Sequence, residues 1–421
     1  MKGMKKHKLN NATPGSESAA QPFSEIFLLL VIAMLLLGRN PMIFIYPEPW
    51  AEDMAVFLGD EYNTGFPATA FSIYAGYIHL LPRIIAWISL KAGLSGAMLV
   101  MNWSVLFFKV LTCFMIYKSR EIGSILIKYA IIAYIVLMPF ASEVYNNVTN
   151  LQWWLIPMMA VIIMKRETGA FSLLISVILL VLTGLTGVNS VIFAIPCACL
   201  MIKQRTPDTL CKNSVVIACA LVQSYFLYTS GRSGTGKIIY EGSITDLISL
   251  FVSRVIFHTL FKSDTSAWIS VTVFTVFISL VIFNIWHYRK IMAVRFVALF
   301  AACYTAVIMY NILKTEKDCC SFIDVFAGER YFVFLRLCTF ALLVSSLSLL
   351  FKTPALRKNY KKLMTISVIV LCAVLLKRYA VSFPFCFDYY TDLDLLAEAS
   401  PGETVKIHFP PADWSLDLTK K

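Results

Sequence analysis

The feature that most constrains this chain is a series of apolar runs that recurs along its whole length. Runs of about 18 or more residues are long enough to cross a hydrocarbon core of roughly 30 Å as a helix. The composition agrees, because 58% of the 421 residues are apolar and only 15% are charged, whereas soluble domains have about 45–50% and about 25%. The sequence therefore predicts an all-α polytopic membrane protein.

The hydropathy pattern predicts about eleven transmembrane helices. With the N-terminus inside, each loop assigned to the cytoplasm carries a basic cluster, as the positive-inside rule requires. This rule accounts for the net charge of +12 without a nucleic-acid partner. The expected spans lie at about residues 24–45, 97–117, 122–141, 151–164, 170–187, 188–202, 213–229, 267–286, 295–313, 331–351 and 362–377.

This topology divides the chain into three parts. Residues 1–23 form a basic cytoplasmic N-terminus, which leads into an uncleaved first span. Residues 24–377 form the transmembrane domain with an outer loop over residues 46–96, and residues 378–421 form an outer tail. The tail contains TVKIHF, an alternation typical of a strand. It is too short for a core of its own, so we expect it to pack against the other outer loops.

The first outer loop is acidic. It carries the adjacent carboxylates Glu52 and Asp53 in the stretch AEDMAVF, and the two side chains would diverge on a helix. A carboxylate near lipid has a raised pKa and can then accept a proton near neutral pH. We expect one of the two to be a general base or to bind sugar hydroxyls, while the alternative is a loop that merely obeys topology. Glu48, Asp60 and Glu61 are expected to be solvated charges.

Two amphipathic segments, at residues 74–90 and 246–261, are expected to lie in the outer membrane interface. In the first, His79, Arg83 and Trp87 recur every four residues and would form one stripe. A cation and an imidazole at headgroup depth suit a phosphate, although ordinary contact with lipid headgroups is the alternative.

Amide and basic side chains in later segments extend the predicted site. Amides beside an indole suit a sugar, provided that this span end is helical and they share a face; the alternative is a polar cap beside an aromatic belt. These residues are Asn146, Asn147, Asn150 and Trp153. Cations expected to approach an anionic substrate are Arg232, Lys237 and Arg330. The spans hold few carboxylates, which argues against a proton-driven carrier.

Five motifs give the chain a family resemblance. It resembles the bacterial GT-C-type membrane glycosyltransferases, and among them the bacteriophage-encoded O-antigen glucosyltransferases that change serotype, in PWAEDMAVF, YAGYIHLLPRIIA, NNVTNLQWWL, GERYFVF and PPADWSLDL. The resemblance implies a polyprenyl-phosphate sugar donor, a lipid-linked glycan acceptor and an essential acid in the first outer loop, which here is Asp53 or Glu52. It also implies the inner membrane with a periplasmic C-terminus, and supply of the donor by a separate synthase and flippase.

The expected reaction is transfer of a hexose, glucose in the first instance. No cofactor is expected, because arginine and lysine can stabilise a phosphate leaving group. A metal requirement stays open, since the Glu-Asp pair differs from the D-x-D or D-D of some relatives. The alternatives are an O-antigen polymerase and a lipid-linked glycan flippase or transporter.

Overall fold

A computed structural model describes residues 20–231, 238–261, 266–288, 291–316, 328–381, 388–411 and 414–421. Most of these residues are helical. The α-helices are α1 (Ala20–Arg39), α2 (Met42–Ile45), α3 (Gly59–Asn63), α4 (Leu80–Ser89), α5 (Gly93–Lys118), α6 (Ile125–Leu137), α7 (Leu151–Met164), α8 (Ala170–Gly184), α9 (Asn189–Lys203), α10 (Pro207–Thr229), α11 (Ile244–Phe251), α12 (Ala267–His287), α13 (Met292–Thr315), α14 (Val333–Phe351), α15 (Tyr360–Leu376) and α16 (Asp388–Glu398).

Within the described residues, six helical stretches are long and apolar enough to cross a membrane. They are Leu80–Lys118, Pro207–Thr229, Ala267–His287, Met292–Lys314, Glu329–Phe351 and Arg357–Leu376. Four further apolar helices, α6 to α9, have 13 to 15 residues, which is about 20–23 Å of helix and less than the hydrocarbon thickness. The helical membrane-protein class is therefore supported, while the total of eleven spans stays a prediction.

The described chain is not purely helical, which corrects the all-α expectation. Strand β1 (Ile73–Tyr74) pairs with β2 (Tyr77–Ile78), and β3 (Thr404–Phe409) pairs with β4 (Trp414–Thr419), both antiparallel. The strand predicted from TVKIHF is confirmed as β3. Both hairpins lie outside the six long apolar stretches, so they do not disturb the helical membrane region.

Helix α7 lies at the centre of the helical core. All its residues from Leu151 to Ile163 are buried, as expected for a helix that is apolar on every face. By contrast, α12 buries only Ser270 and Asn284, and α15 buries only Met364 and Leu375. The first of these helices packs inside the protein, and the other two present apolar surface outward, which lipid would cover.

The segment predicted as an interfacial helix forms α4, and its polar residues are buried inside the protein. The helix begins at Leu80, so His79 precedes it and the predicted stripe is not one helix face. A short 3₁₀ turn (Leu90–Ala92) and the positive φ of Gly93 join α4 to α5. The second such segment continues α11 through a π-helical turn (Val252–Ile256) and a 3₁₀ turn (Phe257–Thr259), with Arg254 and His258 also buried.

The C-terminal segment packs on the first loop, as expected. The N–H of Ala51 donates to the carbonyl of Pro410 at 2.7 Å, and the Tyr390 hydroxyl donates to the carbonyl of Pro47 at 3.0 Å. Gly59 lies so close to Leu416 that a methyl group on it would stand 2.5 Å from that side chain. The tail therefore holds the acidic loop in place.

Candidate active site

The predicted acids lie at the start of a π-helix (Asp53–Leu58) that follows a tight turn. Ala51 in this turn has φ of 32°, a conformation that is costly for a residue with a side chain. The hydrogen bond from Ala51 to the tail, together with a 2.6 Å bond from the N–H of Asp53 to the carbonyl of Trp50, holds it. The turn sends the neighbouring side chains of Glu52 and Asp53 into different surroundings.

Asp53 is buried and serves as an anchor between two loops. Its Oδ2 accepts from the N–H of Val148 at 2.9 Å. Its Oδ1 accepts from the N–H of Thr149 at 2.8 Å and from the Thr149 hydroxyl at 2.6 Å. Burial raises the pKa of Asp53 to about 7, although all three hydrogen bonds favour the carboxylate. Both oxygens of Asp53 are thus engaged within the protein.

Glu52 is partly exposed and accepts a hydrogen bond from the Tyr74 hydroxyl at 3.3 Å. Burial, and then the negative charge of Glu52, raise the pKa of Tyr74 to about 12. The tyrosine therefore stays protonated at neutral pH and remains a donor to the carboxylate. Unlike the buried Asp53, Glu52 is only partly enclosed by the protein.

Glu143 and Arg330 lie near Glu52. A guanidinium nitrogen of Arg330 is 3.1 Å from Glu143 Oε1, and the Arg330 N–H donates to Oε2 at 3.1 Å. Glu52 is near enough for its negative charge to repel the Glu143 carboxylate and attract the Arg330 guanidinium. Burial raises the pKa of Glu143, which Arg330 opposes. The Arg330 side chain is 33% exposed. These neighbouring residues are all partly exposed. We refer to Glu52, Tyr74, Glu143 and Arg330 as the rim cluster.

A buried ionic network holds the residue that precedes Arg330. Glu329 Oε1 lies 2.5 Å from an Arg254 guanidinium nitrogen, and Arg336 pairs with Oε2. Arg336 also donates from Nε to the carbonyl of Arg254 at 2.7 Å, and His258 Nδ1 lies 3.6 Å from Glu329 Oε1. The network joins the segment after α11 to the start of α14, and it thereby positions Arg330 against Glu143.

Arg83 and His79 lie behind the rim cluster and are buried. Arg83 donates to Asp60 Oδ2 at 2.7 Å and to the carbonyl of Val56 at 2.9 Å. The His79 ring packs against the rings of Tyr74 and Tyr77, with centroids 5.7 and 4.6 Å away. Burial lowers the pKa of His79 to about 3, so the ring is neutral near pH 7. A phosphate-binding role for these two residues stays a prediction.

Two carboxylates of the first loop differ from the expected solvated charges. Asp60 is 46% exposed but pairs with Arg83. Glu61 is buried and accepts from the N–H of Phe66 at 2.7 Å and from the Thr69 hydroxyl. The expectation was wrong because charge alone does not indicate which loop carboxylates meet a donor after folding.

The predicted sugar-binding amides lie in an irregular loop before α7 rather than on a helix face, and their polar groups bond within the protein. Asn146 donates to the carbonyl of Asn102 at 3.2 Å. Asn147 and Asn150 donate to the carbonyl of Glu143 at 2.7 and 3.0 Å. Asn150 also accepts from the indole N–H of Trp153 at 3.1 Å. All four predicted residues are buried, and their sugar-binding role stays a prediction.

Trp153 nevertheless lies close to the rim cluster. Its ring packs edge-on against Tyr331, with centroids 5.7 Å apart, and the guanidinium of Arg330 lies over Tyr331 at 5.2 Å. Arg232 and Lys237 fall outside the described residues. Among the residues that are described, no group of three His, Cys, Asp or Glu side chains is arranged to hold a metal ion.

Sequence reasoning missed two components of this site. Tyr74 stands in an ordinary aromatic-rich stretch and carries no local signal. The pairing of Glu329 with Arg254 and Arg336, rather than with its neighbour Arg330, depends on contacts 75 residues apart along the chain in one case. The adjacent opposite charges in GERYF were the only visible cue, and they favoured a local ion pair.

Comparison with protein-family models gives no match, and comparison with curated proteins gives none either. Solved structures do match. The oligosaccharyltransferase of Archaeoglobus fulgidus in its apo form has a TM-score of 0.51 at 12% identity, over 91% of this chain and 59% of that one. The same enzyme tethered by a disulfide bond to an acceptor peptide containing the NVT sequon gives 0.50 at 12% identity, over 91% and 58%.

This chain thus spans less than two thirds of the length of the archaeal enzyme. At such low identity, the match concerns the fold and not the reaction. The bacterial and serotype-converting aspects of the predicted resemblance stay predictions. The helical architecture of this chain is similar to that of the archaeal oligosaccharyltransferase.

Proposed function

We propose that this protein is a GT-C-type membrane glycosyltransferase, which moves a sugar from a polyprenyl-phosphate donor to a lipid-linked glycan. The GT-C-type fold supports this class of reaction. The observation that carries the proposal is the partial exposure of Glu52 beside Tyr74, Glu143 and Arg330. Of the two predicted catalytic acids, Glu52 is partly exposed and Asp53 is buried.

In this proposal Glu52 is the general base. It takes the proton of an acceptor hydroxyl, and the acceptor oxygen forms a bond to the anomeric carbon of the donor sugar. The bond from that carbon to the phosphate oxygen breaks, and the electron pair leaves with the phosphate. Arg330, which Glu143 holds at the rim, stabilises the charge that develops on this phosphate. Tyr74 orients the Glu52 carboxylate through its hydroxyl.

Asp53 and the other buried residues support this arrangement. Asp53 fixes the first loop to residues 148–149, so we assign it a positioning role. Burial of His79, Arg83 and the asparagines also favours support of the loops over direct contact with substrate. Among the predicted sugar-contacting residues, Trp153 packs against Tyr331, whose ring lies under the Arg330 guanidinium.

The finer assignment rests on the motif resemblance. We propose a hexose, glucose in the first instance, as the transferred sugar and O-antigen as the acceptor. The site would face the periplasm from the bacterial inner membrane, and a separate synthase and flippase would supply the donor. We propose no cofactor, and a divalent metal requirement stays open.

The decisive experiment measures sugar transfer in membranes that carry single variants. We expect Glu52→Gln to lower the rate by roughly 10²- to 10⁴-fold, the usual contribution of a general base, with an unchanged thermal midpoint. Glu241→Gln, an exposed acid outside the site, is the matched control and keeps full activity. Full activity of Glu52→Gln, or loss only in Asp53→Asn, would show that the assignment of the base is wrong.

Glycan composition separates the alternative functions. Cells with the intact gene and cells without it are compared for surface glycan. Added side-branch sugars support the transferase. A loss of chain length without the gene identifies a polymerase, and a loss of surface glycan identifies a flippase.

A further inference from the structure

A basic cavity lies at the turn between α14 and α15. It is a surface cavity of about 670 Å³. Asn359 and Tyr360 form part of its wall, and no carboxylate lines it. The remaining five lining residues are all cationic: Lys352, Arg357, Lys358, Lys361 and Lys362.

The described part of the chain does not neutralise the charges of this cavity. Among the described residues, none of the five cations forms an ion pair, and all five are exposed. Lys352 lies over the ring of Tyr360 at 5.4 Å, and the Tyr360 hydroxyl is 3.0 Å from the Ser348 hydroxyl. The cavity therefore has an ordered aromatic wall and an excess of positive charge that an anion would reduce.

The start of α15 adds to this preference for an anion. The helix has 17 residues and begins at Tyr360, directly after a 3₁₀ turn (Arg357–Asn359), and the side chain of Asn359 makes no capping hydrogen bond. The N–H groups of a first helical turn carry partial positive charge and bind phosphate readily. Here that turn forms the cavity wall together with Lys361 and Lys362.

The surface next to the cavity is apolar and faces outward. Ile366, Ile369 and Val370 on α15 are 46%, 61% and 54% exposed, and Leu350 at the end of α14 is 53% exposed. They lie within about three turns of the cavity. An occupant with a phosphate head and acyl chains would place its head among the cations and its chains along this face. A free phosphate would leave the apolar face unused.

We propose that this cavity binds the headgroup of an anionic phospholipid, with the acyl chains along α15. Helix α14 has 19 residues, about 28 Å of helix, and separates this cavity from Glu329 and Arg330. The lipid site thus lies at the membrane face opposite the candidate active site and does not depend on the proposed reaction. Basic pockets between membrane helices are a common arrangement for anionic headgroups.

The test uses the full chain, purified in detergent and supplied with defined lipids. Retention of phosphatidylglycerol or cardiolipin is compared with that of phosphatidylcholine by native mass spectrometry. The test variant is Lys358→Gln with Lys361→Gln and Lys362→Gln. The matched control removes three exposed cations from other loops, Arg166→Gln, Lys203→Gln and Arg205→Gln.

We expect the intact protein to retain anionic lipid in preference to phosphatidylcholine. The test variant should retain at least about tenfold less, since each surface cation contributes a factor of roughly five, while the control keeps the intact level. Equal losses in both triple variants, or no preference for anionic lipid in the intact protein, would overturn the proposal. Thermal stabilisation by inorganic phosphate that equals the effect of the lipid would also overturn it, because the apolar face would then contribute nothing.

Discussion

In two regions of the molecule, two charged residues that are adjacent in sequence have different roles. In the first loop, Asp53 is buried and bonded to residues 148–149, whereas Glu52 stands partly exposed at the rim. At the start of α14, Glu329 is buried between Arg254 and Arg336, whereas Arg330 reaches Glu143 at the rim. In each pair one residue is buried and anchors the backbone, and its neighbour is partly exposed.

The comparison shows how a loop site is held rigid in a helical membrane protein. A loop carboxylate positions a substrate precisely only if the backbone beside it cannot move. Here the anchor is adjacent in sequence, so the anchored and presented side chains share a backbone whose direction is fixed. The two anchors differ in partners, since Asp53 accepts from uncharged N–H and O–H groups and Glu329 meets two guanidinium groups.

Removing the carboxylate of Glu329, the anchor that pairs with two arginines, should have the largest effect on stability. Glu329→Gln leaves Arg254 and Arg336 buried without a carboxylate, and the loss of one member of a buried ion network costs about 3–5 kcal/mol. We expect a clearly lower thermal midpoint in detergent and a low yield of folded protein. The exposed Glu241→Gln variant should unfold with the wild type. Equal midpoints for Glu329→Gln and wild type would show that this network does not anchor α14.

Asp53, the anchor whose partners are uncharged, should make the stability of the protein depend on pH. Because the pKa of Asp53 is raised from 3.8 to about 7 in the folded state, its contribution is full below about pH 4 and is lost as the pH rises through 7. The change is at most roughly 4 kcal/mol, since one pKa unit is worth about 1.4 kcal/mol. The thermal midpoint of the wild type should therefore fall from pH 5 to pH 8.

The variants Asp53→Asn and Glu52→Gln separate the two neighbours in this measurement. Asn does not titrate, so Asp53→Asn should start from a lower midpoint and change less with pH. Glu52→Gln should follow the slope of the wild type. The same slope in Asp53→Asn as in wild type would assign the pH dependence to another group.

The smallest effect is expected at the hydroxyl that orients Glu52. Tyr74→Phe removes one hydrogen bond, worth about 0.5–1.5 kcal/mol, so transfer should fall by roughly two- to tenfold while the thermal midpoint falls only slightly. Because the pKa of Tyr74 is raised to about 12, the ratio of wild-type to variant rates should stay constant from pH 6 to pH 9. A ratio that varies over this range would mean that Tyr74 itself titrates and takes part in proton transfer.

Part of this structure follows from local sequence. The apolar runs specify membrane helices because each run is long enough for its own helix and satisfies its own backbone hydrogen bonds. The strand at TVKIHF follows from alternation alone. The first loop was predicted to hold the site because its five carboxylates, among them Glu52 and Asp53, stand without any Lys or Arg over residues 46–74. The solved structures add a likeness in fold to the archaeal oligosaccharyltransferase.

The tertiary structure decided the rest. Glu52 and Asp53 are equivalent candidates in sequence, and only the approach of residues 148–149, about 95 positions away, separates them. Arg330 pairs with Glu143, which is 187 positions away in sequence. Arg83 is buried and pairs with Asp60. Local sequence specifies which segments form apolar helices, because each helix forms from its own residues. The partners of a charged loop residue depend on how distant segments pack together. No single segment of the sequence encodes that packing.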